Sequence, residues 1–229
     1  MKKVYIAVGH GGDDPGAVAN NLKEKDLNLV TAIACKDELL RHGVEVNIDR
    51  TTDIELTMTQ TVNACNAYAP DLAVDIHHNA GGGDGAEVFY SINGGTGKTL
   101  AVNILDEIQK IGQNSRGAKT RKGTDGSDYY GFIRRTTQPA VIVECAFLDN
   151  KTDVQIVDTK AEQKASGIAI AKGILKTLGV AWQKPLEDTT TDTIHRVQCG
   201  AFRSLQNAQR LRDELRSKGY TDAFIVSSK

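Results

Sequence analysis

The chain has 229 residues, 40% hydrophobic and 25% charged, with a formal net charge of −1. That size and balance suit one full domain with a buried core and room for a small extra module, and they exclude a disordered or fibrous chain. The near-zero charge argues against nucleic acid as a global partner, and no segment is long and apolar enough for membrane insertion.

The start, MKKVYIAVGHGG, has two lysines and an apolar run, but only Val4–Val8 is continuously apolar. A cleaved signal peptide needs an apolar stretch of about 7–15 residues. The expectation is a protein made in the cytoplasm without a signal peptide, reaching any external substrate only after release. Cys35, Cys65, Cys145 and Cys199 lack the close pairing of a cysteine metal site and read as free thiols, mostly packed.

Val4–Val8 is β-branched and aromatic, and reads as a buried strand stopped by Gly9. His10 then stands at the strand's end among Gly11, Gly12 and Gly16, with Asp14-Pro15-Gly16 as turn chemistry. A side chain at such an end, facing an open loop, is where α/β sheets build sites. From Leu22 to Arg41 the residues Leu27, Val30, Ile33, Ala34, Leu39 and Leu40 recur at mostly helical spacing, and Gly43 ends the helix. A strand at Val44–Ile48, a helix at Thr57–Tyr68 and a strand at Leu72–Ile76 follow, the last running into His77-His78.

Gly81–Gly85 is a flexible loop without the lysine or the strand-to-helix context of a phosphate loop. Ala86–Tyr90 reads as a strand, and Gly97–Gly112 as a helix with Leu100, Ile104, Ile108 and Ile111 along one stripe. Gln113–Asp128 is glycine-rich and polar, and reads as a long surface loop. Ala140–Glu144 is a further strand, and Val154–Leu178 holds one or two closing helices. The alternation predicts an α/β fold: a mixed, mostly parallel twisted sheet with helices on both faces.

Composition changes at residues 180–193, which read as a linker between a catalytic unit, 1–179, and a tail, 194–229. In the tail, a strand at His195–Gly200, a helix at Ser204–Lys218 and a strand at Ala223–Val226 make a small βαβ module. It holds seven Lys/Arg against three Asp/Glu, and a basic tail on an acidic body invites an anionic partner.

Several features converge on one predicted sheet edge. His10 ends the first strand, Glu24 opens the first long helix, His77 and His78 follow the third strand, and Glu144 closes the strand AVIV. Two histidines and a carboxylate from separate strand and loop ends make the donor set of an open catalytic zinc site, whereas a structural site would supply a fourth protein ligand. Zinc polarises a carbonyl and lowers the pKa of bound water to about 7. Glu144 is a candidate to move the protons that hydrolysis requires. Each residue also has a plainer reading. Glu24 could complement the helix dipole, Glu144 could pair with Arg134 or Arg135, and His42 and His195 read as surface or packing residues. His77 and His78 point to opposite sides of a strand, so only one fits the cluster.

Taken together, VGHGGDDPGA, LKEKDLNL, DIHHNA and IRRTTQPAVIVECAFLDN resemble the type-3 N-acetylmuramoyl-L-alanine amidases, zinc hydrolases of the bacterial cell wall, over roughly residues 1–180. The resemblance implies a zinc ion on His10, Glu24 and His77, with Glu144 as catalytic acid/base. It also implies cleavage of the amide between N-acetylmuramic acid and the L-alanine of the stem peptide, as in a phage endolysin or an autolysin. Gln60, Cys65-Asn66 and Cys145-Ala146 depart from the family's usual residues without touching an expected ligand. The tail, with VQCGAF and the helix carrying Ala208, Leu211 and Leu215, resembles one repeat of a SPOR-type peptidoglycan-binding module. Such modules usually have two halves, which leads to the expectation that two chains pair their tails as a homodimer. Two other readings compete: a zinc hydrolase cutting stem peptides, and a non-catalytic wall-binding protein.

Overall fold

The computed structural model describes residues 1–184, 199–220 and 223–227. They divide between two compact units, Met1–Lys184 and Pro185–Lys229.

The first unit opens with β1 (Lys3–Val8), followed by a short hairpin of β2 (Val18–Ala19) and β3 (Leu22–Lys23). Then come α1 (Glu24–Arg41), β4 (Glu45–Ile48), α2 (Met58–Tyr68), β5 (Leu72–Asn79) and β6 (Ala86–Tyr90). The unit continues with α3 (Gly95–Gln109), β7 (Ser115–Lys119), α4 (Gly131–Arg135), β8 (Ala140–Phe147), α5 (Lys151–Val154) and α6 (Lys160–Leu178). Helix starts are encoded locally: Thr57 with Gln60, and Thr159 with Glu162, form reciprocal capping boxes at α2 and α6.

Six strands form one sheet in the order β4-β1-β5-β8-β6-β7. Neighbours are parallel except β6 against β8, so β6 and β7 run opposite to the other four. Alternation along the strands sends Val4, Ile6, Val8, Val74, Ile76, Val141 and Val143 to one face, into a core shared with buried residues of α1, α3 and α6. Tyr5, Ala7, Ala73, Phe89 and Ile142 go to the other face, against Val62 and Cys65 of α2 and Phe132 and Ile133 of α4. The expected mixed, mostly parallel sheet with helices on both faces is what forms.

The expected elements shift in informative places. Ser115–Lys119, read as part of a surface loop, pairs with β6 as the edge strand β7. Its sequence, SRGAK, has a glycine and little apolar alternation because an edge strand buries little. Residues 180–184, read as the start of the linker, stay on the first unit. Trp182 Nε1 donates to Glu38 Oε1 at 2.6 Å, the Gln183 amide donates to His42 Nε2 at 2.9 Å, and Arg41 donates to the Gln183 carbonyl at 2.7 Å. The compact unit therefore ends at Lys184.

In the second unit the expected helix forms as α7 (Leu205–Ser217). Ala223–Val226, expected as a strand, takes no strand pairing among the described residues. His195 and most of the other expected tail strand lie outside the described residues, as do residues 185–193 of the expected linker. All four cysteines are free, with Cys35, Cys65 and Cys145 buried and Cys199 exposed.

Candidate metal centre

The site grows from the carboxyl end of β1. Gly9 continues the ladder by donating to the Ile76 carbonyl at 3.0 Å, and the chain then turns at His10, which takes a left-handed φ of 61°. A non-glycine residue rarely adopts that conformation, and here its surroundings hold it. Arg50 Nη2 and Asn28 Nδ2 each donate to the Gly9 carbonyl at 3.0 Å, and Arg50 Nε donates to the Val8 carbonyl at 3.1 Å. Arg50 is almost fully buried and uses its donors on carbonyl groups, clamping the turn that aims His10.

Glu24, the first residue of α1, enters the same space almost fully buried. Its Oε2 lies 3.2 Å from His10 Nε2, and its Oε1 lies 2.9 Å from His77 Nδ1. The two imidazoles meet edge-on with centroids 5.1 Å apart. Two glycines make room for this approach. A Cβ on Gly9 would sit 2.2 Å from the His77 ring, and one on Gly16 would sit 2.5 Å from Glu24 Oε2 and 2.6 Å from His10. A side chain at either position would push these site groups aside.

His77 is on the same sheet face as Asp75 and Ala73, and this face carries the site. His78 turns to the opposite face, fully buried against Asn28 Oδ1 at 2.8 Å from its Nδ1. Burial pushes its pKa down to about 4, so it stays neutral. Alternation thus separates the two adjacent histidines, and His77 joins His10 and Glu24.

One ligating atom from each of His10, Glu24 and His77 lies within 4.8 Å of the others, a group that could hold a metal ion. The donor set of two imidazoles and a carboxylate suits zinc. The outward ring nitrogens also meet the need of metal-bound histidines for carboxylate support. His10 Nδ1 is 2.7 Å from Asp14 Oδ2, and His77 Nε2 is 3.3 Å from Asp75 Oδ1. The electrostatics agree. Burial alone would raise the Glu24 carboxyl, but the bonds from His10 and His77 outweigh it and hold it far below the usual carboxylate range. Burial works against protonation of His77, yet Asp75 and Glu24 raise its pKa well above that of free histidine.

Glu144 stands beside this group, in register with His77 on the neighbouring strand. Burial pushes its pKa up to about 7: His77 opposes the rise, and Glu24, Asp75 and Glu87 add to it. Its Oε2 is buried with no hydrogen-bond partner among the described residues. The plainer reading of Glu144 as an arginine's partner does not hold. Arg134 donates to the Asp128 carbonyl and Arg135 to Thr59. The other plainer reading does hold for His42, which is packed between Glu38 and Gln183.

Sequence reasoning missed Asp14, Asp75, Asn28 and Arg50. Asp75 had a usable signal, since it lies two residues before His77 and so on its face of the strand. Arg50 and Asn28 act on a carbonyl that reaches them only through folding.

The α/β sheet carries at its carboxyl edge a histidine, carboxylate and histidine cluster that could hold a metal ion, beside a half-buried glutamate with one oxygen unpaired among the described residues, which suits a hydrolase. Comparison with known proteins sharpens that class. Residues 4–176 match the N-acetylmuramoyl-L-alanine amidase family, and residues 191–229 match the SPOR domain. The N-acetylmuramoyl-L-alanine amidase CwlM of Bacillus licheniformis is 32% identical over 230 residues, covering 99% of this chain and 85% of that protein. Among solved structures, the catalytic domain of the amidase CwlV from Bacillus (Paenibacillus) polymyxa superposes with a TM-score of 0.70 at 30% identity, over 79% of this chain and all of that domain. Cwp6 from Clostridium difficile superposes with a TM-score of 0.76 at 39% identity over 77% of this chain, which spans 29% of that protein. The chain belongs to the N-acetylmuramoyl-L-alanine amidases. It is a cell-wall hydrolase that cleaves the amide between N-acetylmuramic acid and L-alanine, with a SPOR domain at its C-terminal side.

Proposed function

We propose that this amidase is zinc-dependent, with His10, Glu24 and His77 as the ligands and Glu144 as the catalytic acid/base. The observation that carries the reading is the convergence of three donor atoms within 4.8 Å beside a buried carboxylate oxygen that no described residue satisfies. Bound zinc supplies Lewis acidity, polarising the scissile carbonyl and acidifying the attacking water. Glu144 takes the proton that this water loses and delivers it to the departing alanine nitrogen. A carboxyl whose burial brings it to about 7 can both accept and release a proton near neutrality. Asp14 and Asp75 hold the two imidazoles so that Nε2 of His10 and Nδ1 of His77 face inward.

Purified sacculi treated with wild type, Glu144→Gln and chelated protein test this assignment. Wild type should leave glycan strands whose N-acetylmuramic acid is free of peptide, together with new alanine amino groups. Glu144→Gln should keep metal and fold while turnover falls about 100-fold or more, and chelation should stop the reaction until zinc is restored. Near-normal turnover in Glu144→Gln would refute the role of Glu144. New carboxyl ends within the stem peptide would favour the stem-peptide hydrolase instead.

The proposal extends to where the enzyme works and how its units divide the task. The first unit cuts, the SPOR domain holds peptidoglycan, and an enzyme made in the cytoplasm meets the wall after release. Two tails pair in this reading, because α7 has no buried residue while Phe202, Phe224 and Val226 are exposed. A unit this small buries little core alone. Light scattering at high micromolar concentration should report a dimer that is lost on removing the tail. A monomer with a folded tail would refute the pairing.

A further inference from the structure

The face that carries His77 and Glu144 continues across the sheet to a charged group that the proton and metal chemistry does not use. Glu144 is in register with His77 on one side and with Glu87 on the other. The row His77, Glu144, Glu87 therefore spans two strand spacings, about 10 Å. Glu87 is nearly buried, and two cations from the edge strand β7 converge on one of its oxygens. Arg116 Nε lies 2.9 Å and Lys119 Nζ 2.5 Å from Oε2, while Asn79 Nδ2 donates to Oε1 at 3.1 Å.

Two cations on one carboxylate leave a net positive charge at this end of the row. Both are accessible, with about a third of each side chain exposed: 38% for Arg116 and 34% for Lys119. Arg116 spends only its Nε on Glu87, and its guanidinium lies 5.0 Å from the centroid of the Phe147 ring. Its Nη groups form the planar fork that suits a carboxylate. Two residues beyond Lys119, Arg121 is a further cation, stacked 3.7 Å from the centroid of Tyr129 and 5.8 Å from that of Tyr130. On the opposite rim, around His10, the charges are compensated: Asp14 lies against His10, and Asp53 accepts from the Gly12 amide and pairs with Lys25 at 2.7 Å. The excess positive charge thus lies at the β7 end.

We infer that Arg116 and Lys119, held in place by Glu87, form a carboxylate-binding subsite that orients the substrate with its stem peptide toward β7. The inference rests on the amidase reading for which bond is cut and adds which way the substrate lies. The chemistry it selects is a free carboxylate about one residue beyond the scissile amide, such as the α-carboxylate of a γ-linked glutamate following alanine. Amidation of that carboxylate would remove the charge the subsite recognises.

The test is equilibrium binding of two peptides to the full-length protein, L-alanyl-D-glutamate with its γ-carboxyl blocked as the methylamide and the counterpart whose α-carboxyl is amidated as well, with and without zinc. Wild type should bind the free acid about tenfold more tightly, the scale of a charge-assisted bond gained by one ligand only. In Arg116→Gln and in Lys119→Gln the ratio should fall toward one, and added salt should narrow it in wild type. Both residues lie on an edge strand with exposed side chains, and the comparison within wild type needs no variant. Equal binding of the two peptides by wild type, or a preference that survives both substitutions, would overturn the inference. Hydrolysis of sacculi separates this from the reading beneath it: wall cleavage without peptide discrimination condemns the subsite alone, and discrimination without wall cleavage condemns the reading of the reaction while leaving the subsite standing.

Discussion

The two units of this chain are built on opposite terms. In Met1–Lys184 each site residue is attached to an element packed on both sides. His10 hangs from β1, Glu24 from α1, and His77 and Glu144 from adjacent central strands whose other face is buried under α1, α3 and α6. In Pro185–Lys229, α7 has no buried residue, and Leu205, Tyr220 and Phe224 are exposed. The contrast teaches that chemistry needing sub-ångström placement is carried by a core that pays for its own order, whereas among the described residues the tail's apolar groups are at most half-buried.

The sharpest way to break that comparison is to cut equally into both units. Ile104→Ala removes a fully buried side chain shared by the sheet and helix layers, and should cost about 2–5 kcal/mol in denaturant unfolding. Leu205→Ala in α7 should stay within about 0.5 kcal/mol, as exposed substitutions do. A loss as large as that of Ile104→Ala would mean that the tail carries a core of its own. Next in size is Asp75→Asn, which withdraws the charge facing His77 Nε2 and should weaken zinc binding by about 10–100-fold in competition with a chelator. Unchanged affinity would show that Asp75 only fills space.

Ending the chain at Lys184 should leave kcat/KM on a soluble muramoyl peptide as it is and lower the amount of protein retained on sacculi. Ending it at Gly179 should in addition lower the melting temperature, because the Trp182 bond to Glu38 and the Gln183 bonds to Arg41 and His42 are lost.

The smallest expected effect is a pH slope from Asp49. Burial, with Asp75 adding to it, raises the Asp49 pKa from 3.8 to about 7. Between those values the folded protein keeps a proton that the unfolded chain has released. Stability from this group is therefore fully present below about pH 4, falls as pH rises, and reaches its floor above about 7. Asp49→Asn should flatten that slope, gaining melting temperature over wild type at pH 8 relative to pH 5. An equal difference at both pH values would place the Asp49 proton elsewhere.

Much of the site was legible because its signals are local. His10 announces itself as a polar residue where an apolar strand runs into glycines, Glu24 as the acid opening a helix, and Glu144 as a charge closing an otherwise apolar strand. The mostly parallel sheet follows from the alternation of short apolar runs with helical periods. Other features carry no local mark. The edge strand β7 has almost no apolar pattern, and residues 180–184 have a linker's composition although Trp182 docks on α1.

By itself, then, the sequence determined the order of elements, the donor types and the chemistry they suit, since these depend on residue type and on periods of two or near four along the chain. Only the tertiary structure decided which of two adjacent histidines faces the cluster, which carboxylates stand behind the two imidazoles, and what holds His10 in its left-handed turn. Those outcomes depend on register between strands far apart in the chain. His77, Glu144 and Glu87 become neighbours only when β5, β8 and β6 pair, and Arg50 reaches the Gly9 carbonyl only when β4 lies beside β1.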